Sequence, residues 1–176
     1  MKQLQQIHNI VKSGFRVARI ESDRFDTIVD LFCRYSAQTG KPLFLWQQGA
    51  GLNRLNGQQM VINNTHLVSE AIDFIEAAPE FGIYILKDFP SKYPVRISYQ
   101  LQELMSHPNI CNCLVILLGA HLPMDSNLGK SMLTIKCASN PQPMSVAMQS
   151  SLRQQNEGKR NTRQQNQVME NYDPFQ

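Results

Sequence analysis

Residues 81–119, FGIYILKDFPSKYPVRISYQLQELMSHPNICNCLVILLG, decide the fold class. The stretch opens with FGIYILKDF, whose apolar residues run almost without interruption over 82–88. A continuous apolar run of this length suits a strand covered on both faces. Pro90 closes it, and Pro94 stands where an early helical residue is tolerated. Val95, Ile97, Leu101, Leu104 and Met105 then fall at helical spacing and are expected to face inward until Pro108 stops the helix. CLVILLG at 113–119 is the most hydrophobic run in the chain and is expected to be a central strand. Strand, helix, strand in so few residues is one crossover unit of a parallel sheet.

The same alternation extends in both directions. Upstream, FRVARI at 15–20 is β-branched and aromatic and reads as the first strand. Ser22 or Asp23 is a candidate N-cap for a helix whose apolar face is Phe25, Ile28, Val29, Phe32 and Cys33, with Gly40 as its stop. PLFLWQ at 42–47 is a second strand, and GAGLNRLNGQQ after it reads as a loop because glycine and asparagine crowd it. HLVSEAIDFIEAA supplies a helix over about 66–78, ended by Pro79. Downstream, MLTIKC at 132–137 is a fifth strand. These elements predict a three-layer α/β fold: a mostly parallel five-stranded sheet with helices on both faces and right-handed crossovers.

The apolar residues crowd into roughly the first 137 positions. From 139 onward the chain is rich in Gln, Asn, Arg and Ser, too polar to offset the entropy of ordering. We therefore expect a domain over 1–143 and a disordered polar tail over 144–176, with a weakly amphipathic stretch around Val146 to Leu152. The tail's end, Tyr172-Asp173-Pro174-Phe175, places two aromatics beside an acid. That suits a peptide ligand for a partner's groove, and equally an ordinary frayed end.

The formal charge of +3 is too small for a nucleic-acid-binding face. No segment has the run of about 18 apolar residues that spans a bilayer, and the amino terminus lacks the apolar core of a secretory signal. A cytoplasmic protein is expected. Three of the four cysteines, Cys111, Cys113 and Cys137, sit in apolar runs, which favours core thiols over a metal site. No histidine pairing completes a ligand set, so no metal or other cofactor is expected.

Gly129-Lys130-Ser131 resembles the end of a phosphate-binding loop, but the required earlier glycine is Met124, and Ser131 leads into a strand rather than a helix. It reads as a chance match. Loops after strand ends are nevertheless where open α/β sheets bind ligands. Glu21 after the first strand, Gly49 and Gly51 after the second, and Asp88 after the third are thus the candidate ligand-binding residues. No Gly-x-Ser-x-Gly or other nucleophile motif is present, and no catalytic residue is assigned.

Several phrases taken together, FRVARIESDR, PLFLWQQGAGLNRL, HLVSEAIDFIEAAPEFGIYILKDFPSKY and LVILLGAHLPMDSNLGKSMLTIKCASNPQP, resemble the amino-terminal domain of the AAA-type ATPases known as hypothetical chloroplast open reading frame ATPases. The likeness covers about residues 8–143. Trp46, Gly51, Leu52, Lys87 to Phe89, and Leu122 to Pro123 match the family's pattern. The resemblance implies a degenerate, catalytically silent relative of a phosphate-loop ATPase module. In that family a complete AAA module follows this domain, whereas this sequence continues into its Gln-rich tail, so hydrolysis is not carried over. The expectation is a non-enzymatic adaptor or regulatory protein whose partner is an ATPase or a second copy of the chain. A nucleotide or small-anion sensor is the alternative.

Overall fold

A computed structural model describes residues 2–58, 60–106, 113–122, 128 and 132–136. Among these residues the chain forms α1 (Lys2–Lys12), β1 (Val17–Glu21), α2 (Phe25–Thr39), β2 (Leu43–Gln47), β3 (Gly51–Arg54), β4 (Met60–Ile62), α3 (Val68–Ala77), β5 (Gly82–Lys87), α4 (Val95–Ser106), β6 (Cys113–Gly119) and β7 (Leu133–Lys136). The strands make one sheet in the order β4-β3-β2-β5-β6-β1-β7. Pairings among β2, β5, β6, β1 and β7 are parallel, and those of β3 are antiparallel.

The α/β class and the five predicted strands are therefore present, with β6 in the middle of the parallel five. All seven of its residues are buried. The sheet is nevertheless seven-stranded rather than five-stranded. The stretch read as a loop after the second strand turns back as β3 and β4, because Gly49 and Gly51, at φ +80° and +73°, supply the left-handed backbone a tight reversal needs. The Ala50 amide closes that turn on the Gln47 carbonyl at 3.1 Å. Strands of four and three residues carry too little alternation to stand out beside so many glycines and asparagines.

Side-chain alternation divides the sheet into two cores. On one face Ala18, Ile20, Ile83, Ile85, Leu114, Ile116 and Leu118 pack with Phe32 and Tyr35 of α2 and with Ile7 and Ile10 of α1. On the other, Val17, Tyr84, Leu86, Val115 and Leu117 pack with Ala71, Ile72 and Ile75 of α3 and with Ile97, Leu101 and Leu104 of α4. Helices thus cover both faces, as right-handed crossovers require when β1 leads across to β2 and the chain then steps back through β5 and β6. Each fully buried Ile or Leu contributes about 1.5–3 kcal/mol relative to exposure.

Local chemistry explains the element ends. Gly40, at φ +70°, caps α2 by donating to the Ser36 carbonyl at 2.8 Å. The Glu70 carboxylate accepts the Leu67 amide at 3.0 Å ahead of α3. Helix α1 was not foreseen, although Leu4, Ile7, Ile10 and Val11 give it a helical stripe. Val95, expected to face inward, is 69% exposed because it sits at the first residue of α4, beyond the reach of the sheet.

The described residues belong to the unit Met1–Ala138. The expected boundary at 143, the polar tail with Tyr172, Asp173, Pro174 and Phe175, and the Gly129-Lys130-Ser131 triplet lie outside the described residues. Among those described, no helix is long and apolar enough to cross a membrane.

Candidate functional site

In an open α/β sheet the crevice forms at the carboxyl edge where neighbouring strands send their connections to opposite faces. Here that point lies between β1 and β6. From β1 the chain passes to α2 on one face, whereas after β6 Leu122 and Leu128 join the opposite core.

The crevice is furnished by an unusual strand. Val17, Arg19 and Glu21 share the α3/α4 face of β1, and only Val17 is apolar. Arg19 is 7% exposed. Its Nη2 donates both to the Glu21 carboxylate and to the Leu122 carbonyl. A guanidinium this buried is tolerated only with such partners, since an unpaired buried charge is costly. Lys136 on β7 adds a second cation, its Nζ 3.6 Å from Glu21.

Burial pushes the Glu21 carboxyl up, but the Arg19 hydrogen bond and charge, the charge of Lys136 and a backbone hydrogen bond at Leu122 outweigh it, holding the group below its ordinary value. The unfolded chain then binds this proton more readily than the folded one. Stability from Glu21 is present above its ordinary value of 4.5 and is lost as pH falls through the lowered folded value. We expect Glu21→Gln to be less stable than the parent near neutrality and to lose less further stability between about pH 5 and pH 3. Thermal melts across that range check it, and parallel pH profiles would contradict it.

The connection from β1 to α2 is Ser22–Arg24, three residues without a glycine. Ser22 or Asp23 was expected to cap α2, but the N-cap is Arg24, which makes no side-chain cap bond; Ser22 Oγ instead accepts the Arg24 amide within the link at 3.0 Å. Its own amide donates to the Gly119 carbonyl at 3.0 Å, tying the link down onto β6. A phosphate-cradling loop at this place needs several residues of glycine-rich backbone wrapped around an anion. Leu122 lies over the end of β6, so close that a Cβ on Gly119 would stand 2.6 Å from its Cδ2.

The expected ligand-binding residues are distributed unequally around this point. Glu21 pairs in register with Gly119 on one side, and Lys87 pairs with Leu118 on the other. Glu21 and Asp88 therefore flank Gly119, their backbones two strand spacings or about 10 Å apart. Glu21 is engaged by Arg19 and Lys136, whereas Asp88 is exposed in a left-handed turn at φ +54°. Lys87 reaches the start of α2, its Nζ 2.7 Å from Asp26. Gly49 and Gly51 are farther away, past β5 and β2. They turn the β2–β3 hairpin, and a Cβ on Gly51 would stand 3.0 Å from Thr65 Oγ1. Among the described residues no three His, Cys, Asp or Glu side chains come together as metal ligands.

One feature of the carboxyl edge went unforeseen. A cleft of about 310 Å³ is lined by Trp46 and Gln48 at the end of β2, by His66 to Ser69 entering α3, and by Pro90, Pro94, Arg96 and Ile97 entering α4. Arg96 is paired with Asp73 at 3.1 Å and is mostly exposed. Gln100, buried beneath, donates to the Ser69 carbonyl at 3.0 Å and to Asp73. The pattern lay hidden because its residues come from three separated segments. Arg19 was not foreseen either, although one signal pointed to it: an Arg-x-Glu spacing on a strand places both charges on one face.

A family model for the N-terminal domain of SpoVK-like AAA ATPases matches residues 3–137. The chain belongs to that family. No curated protein and no solved structure matches it. In this AAA N-terminal domain, the positions that carried the chloroplast-family resemblance are largely structural. Trp46 is buried and donates its Nε1 proton to the Thr65 carbonyl at 2.8 Å. Leu52, Phe89 and Leu122 are buried in the α3/α4 core, with Phe89 edge-on to Tyr93 at 5.3 Å. Cys113 is buried and Cys33 half-buried, neither in a disulfide. Burial, and then the charge of Asp30, push the Cys33 thiol up, away from the reactive thiolate.

Proposed function

We propose that this AAA N-terminal domain is a non-enzymatic adaptor or regulatory module, a degenerate and catalytically silent relative of a nucleotide-binding domain that acts by contacting a protein partner. The observation that carries the reading is the three-residue link Ser22–Arg24 at the switch point, in front of a crevice filled by Arg19, Glu21 and Leu122. The resemblance to the chloroplast open reading frame ATPases supports the same view. The partner is an ATPase or a second copy of the chain, and the Tyr172 to Phe175 segment offers a further peptide contact. A cytoplasmic setting suits the free thiols of Cys33 and Cys113.

The second reading, a nucleotide or small-anion sensor, is favoured by the cleft at Trp46, which has His66 and Arg96 in its wall. Trp46 is the only tryptophan in the chain, so its emission reports occupancy of that cleft. With ATP, ADP or GTP at millimolar concentration, with and without magnesium, we expect neither its emission nor the thermal midpoint to change. A ligand at about 100 times its Kd adds about 2.7 kcal/mol of stability and would be plain in the melt. A saturable response abolished by Arg96→Glu would overturn the adaptor reading in favour of the sensor.

A further inference from the structure

The two edges of the sheet are finished differently. At one end β7 carries Lys136, an exposed lysine of the kind that commonly guards an edge strand against addition of another chain. At the other end β4 presents Met60 and Val61, 53% and 55% exposed. Side chains alternate along a strand, so these two residues expose apolar groups on opposite faces of the sheet. Among the described residues only β3 pairs with β4. The outer row of its amides and carbonyls therefore faces outward as a template for a further strand. Residues 55–65, LNGQQMVINNT, contain no charged residue and no proline, the two devices that ordinarily close such an edge.

We infer that β4 is a docking edge for a second copy of this chain, the two β4 strands pairing antiparallel about a two-fold axis at Val61. The inference rests on the proposed contact role and names the partner and the surface. Charge argues for a second copy rather than a foreign strand. In a two-fold antiparallel pair each side chain meets its own symmetry mate or a close neighbour's, so any lysine or glutamate on the edge would confront a like charge. A foreign strand imposes no such condition, and charges on the edge would then serve specificity. The uncharged stretch around β4 meets the homotypic condition. The register sets Val61 against Val61 and Met60 against Ile62, apolar cross-strand pairs on both faces. Pairing of β4 with β7 of a neighbour would instead propagate without closing, and Lys136 opposes it.

The contact adds a short ladder, below the 1,200 Å² or so of a stable complex, so a weak dimer is expected. Sedimentation of the full chain up to about 1 mM should show mass rising toward twice the monomer. Val61→Lys should return it to monomer with unchanged circular dichroism and thermal midpoint, whereas Thr134→Lys on β7 should leave the dimer intact. Should Val61→Lys fail to fold, Val61→Cys under oxidation provides the independent reading: a cross-linked dimer absent from the parent and from Thr134→Cys. A monomer at every concentration, a dimer indifferent to Val61→Lys in its folded form, or open-ended aggregates would each overturn the two-fold. None of these outcomes touches the nucleotide response that decides the adaptor reading.

Discussion

Arg19→Met is expected to destabilise the domain by about 3–5 kcal/mol, the usual cost of breaking a buried ion pair by removing one partner. The substitution keeps an apolar stem of similar reach but takes away the donor that serves both the Glu21 carboxylate and the Leu122 carbonyl. Glu21, largely shielded from water, keeps only the backbone hydrogen bond at Leu122 and the more distant Lys136 at 3.6 Å. In a domain of this size the thermal midpoint should fall on the order of 10 °C. Arg19→Met combined with Glu21→Leu should recover part of the loss, because removing both charges is cheaper than stranding one. Equal losses in the single and double variants would mean that Arg19 acts through packing alone. Chemical denaturation of the three proteins decides between these outcomes.

Thr65→Val should cost about 2–4 kcal/mol, from one buried and one half-buried backbone group left without a partner. Thr65 is 1% exposed and stands where the hairpin meets α3. Its hydroxyl accepts the Leu52 amide at 2.8 Å and donates to the Ile62 carbonyl at 2.7 Å, so one side chain joins β3 to the end of β4. Valine matches its shape and supplies neither bond. Thr65→Ser keeps the hydroxyl and gives up one methyl, for about 1 kcal/mol. The order of stability should be parent, serine, valine. Valine equal to serine in urea unfolding would mean that the hydroxyl contributes nothing to stability.

These two residues mark the border of what the sequence discloses. Strands such as CLVILLG and FGIYILKDF are legible because burial on both faces leaves no polar position to confuse the pattern, and the two proline-bounded helices are legible through their spacing. The β3–β4 hairpin escapes, because four- and three-residue strands owe their existence to partners contributed by Thr65, Asn56 and β2 rather than to their own pattern. Glu21 and Asp88 were placed at the carboxyl edge by strand order alone, and the structure does set them on either side of Gly119. What strand order does not convey is that Arg19 reaches Glu21 from within the same strand and that Leu122 folds over β6 from above. The cleft at Trp46 depends on three segments distant in sequence and becomes visible only when the sheet is assembled.

The switch point between β1 and β6, closed by a three-residue link and by Arg19, Glu21 and Leu122, is proposed not to serve a nucleotide. Isothermal titration calorimetry of the full chain with magnesium ATP tests it most directly. No binding heat is expected up to millimolar nucleotide. A saturable heat with a stoichiometry of about one, lost when Asp88→Asn or Ser22→Ala is introduced, would contradict it.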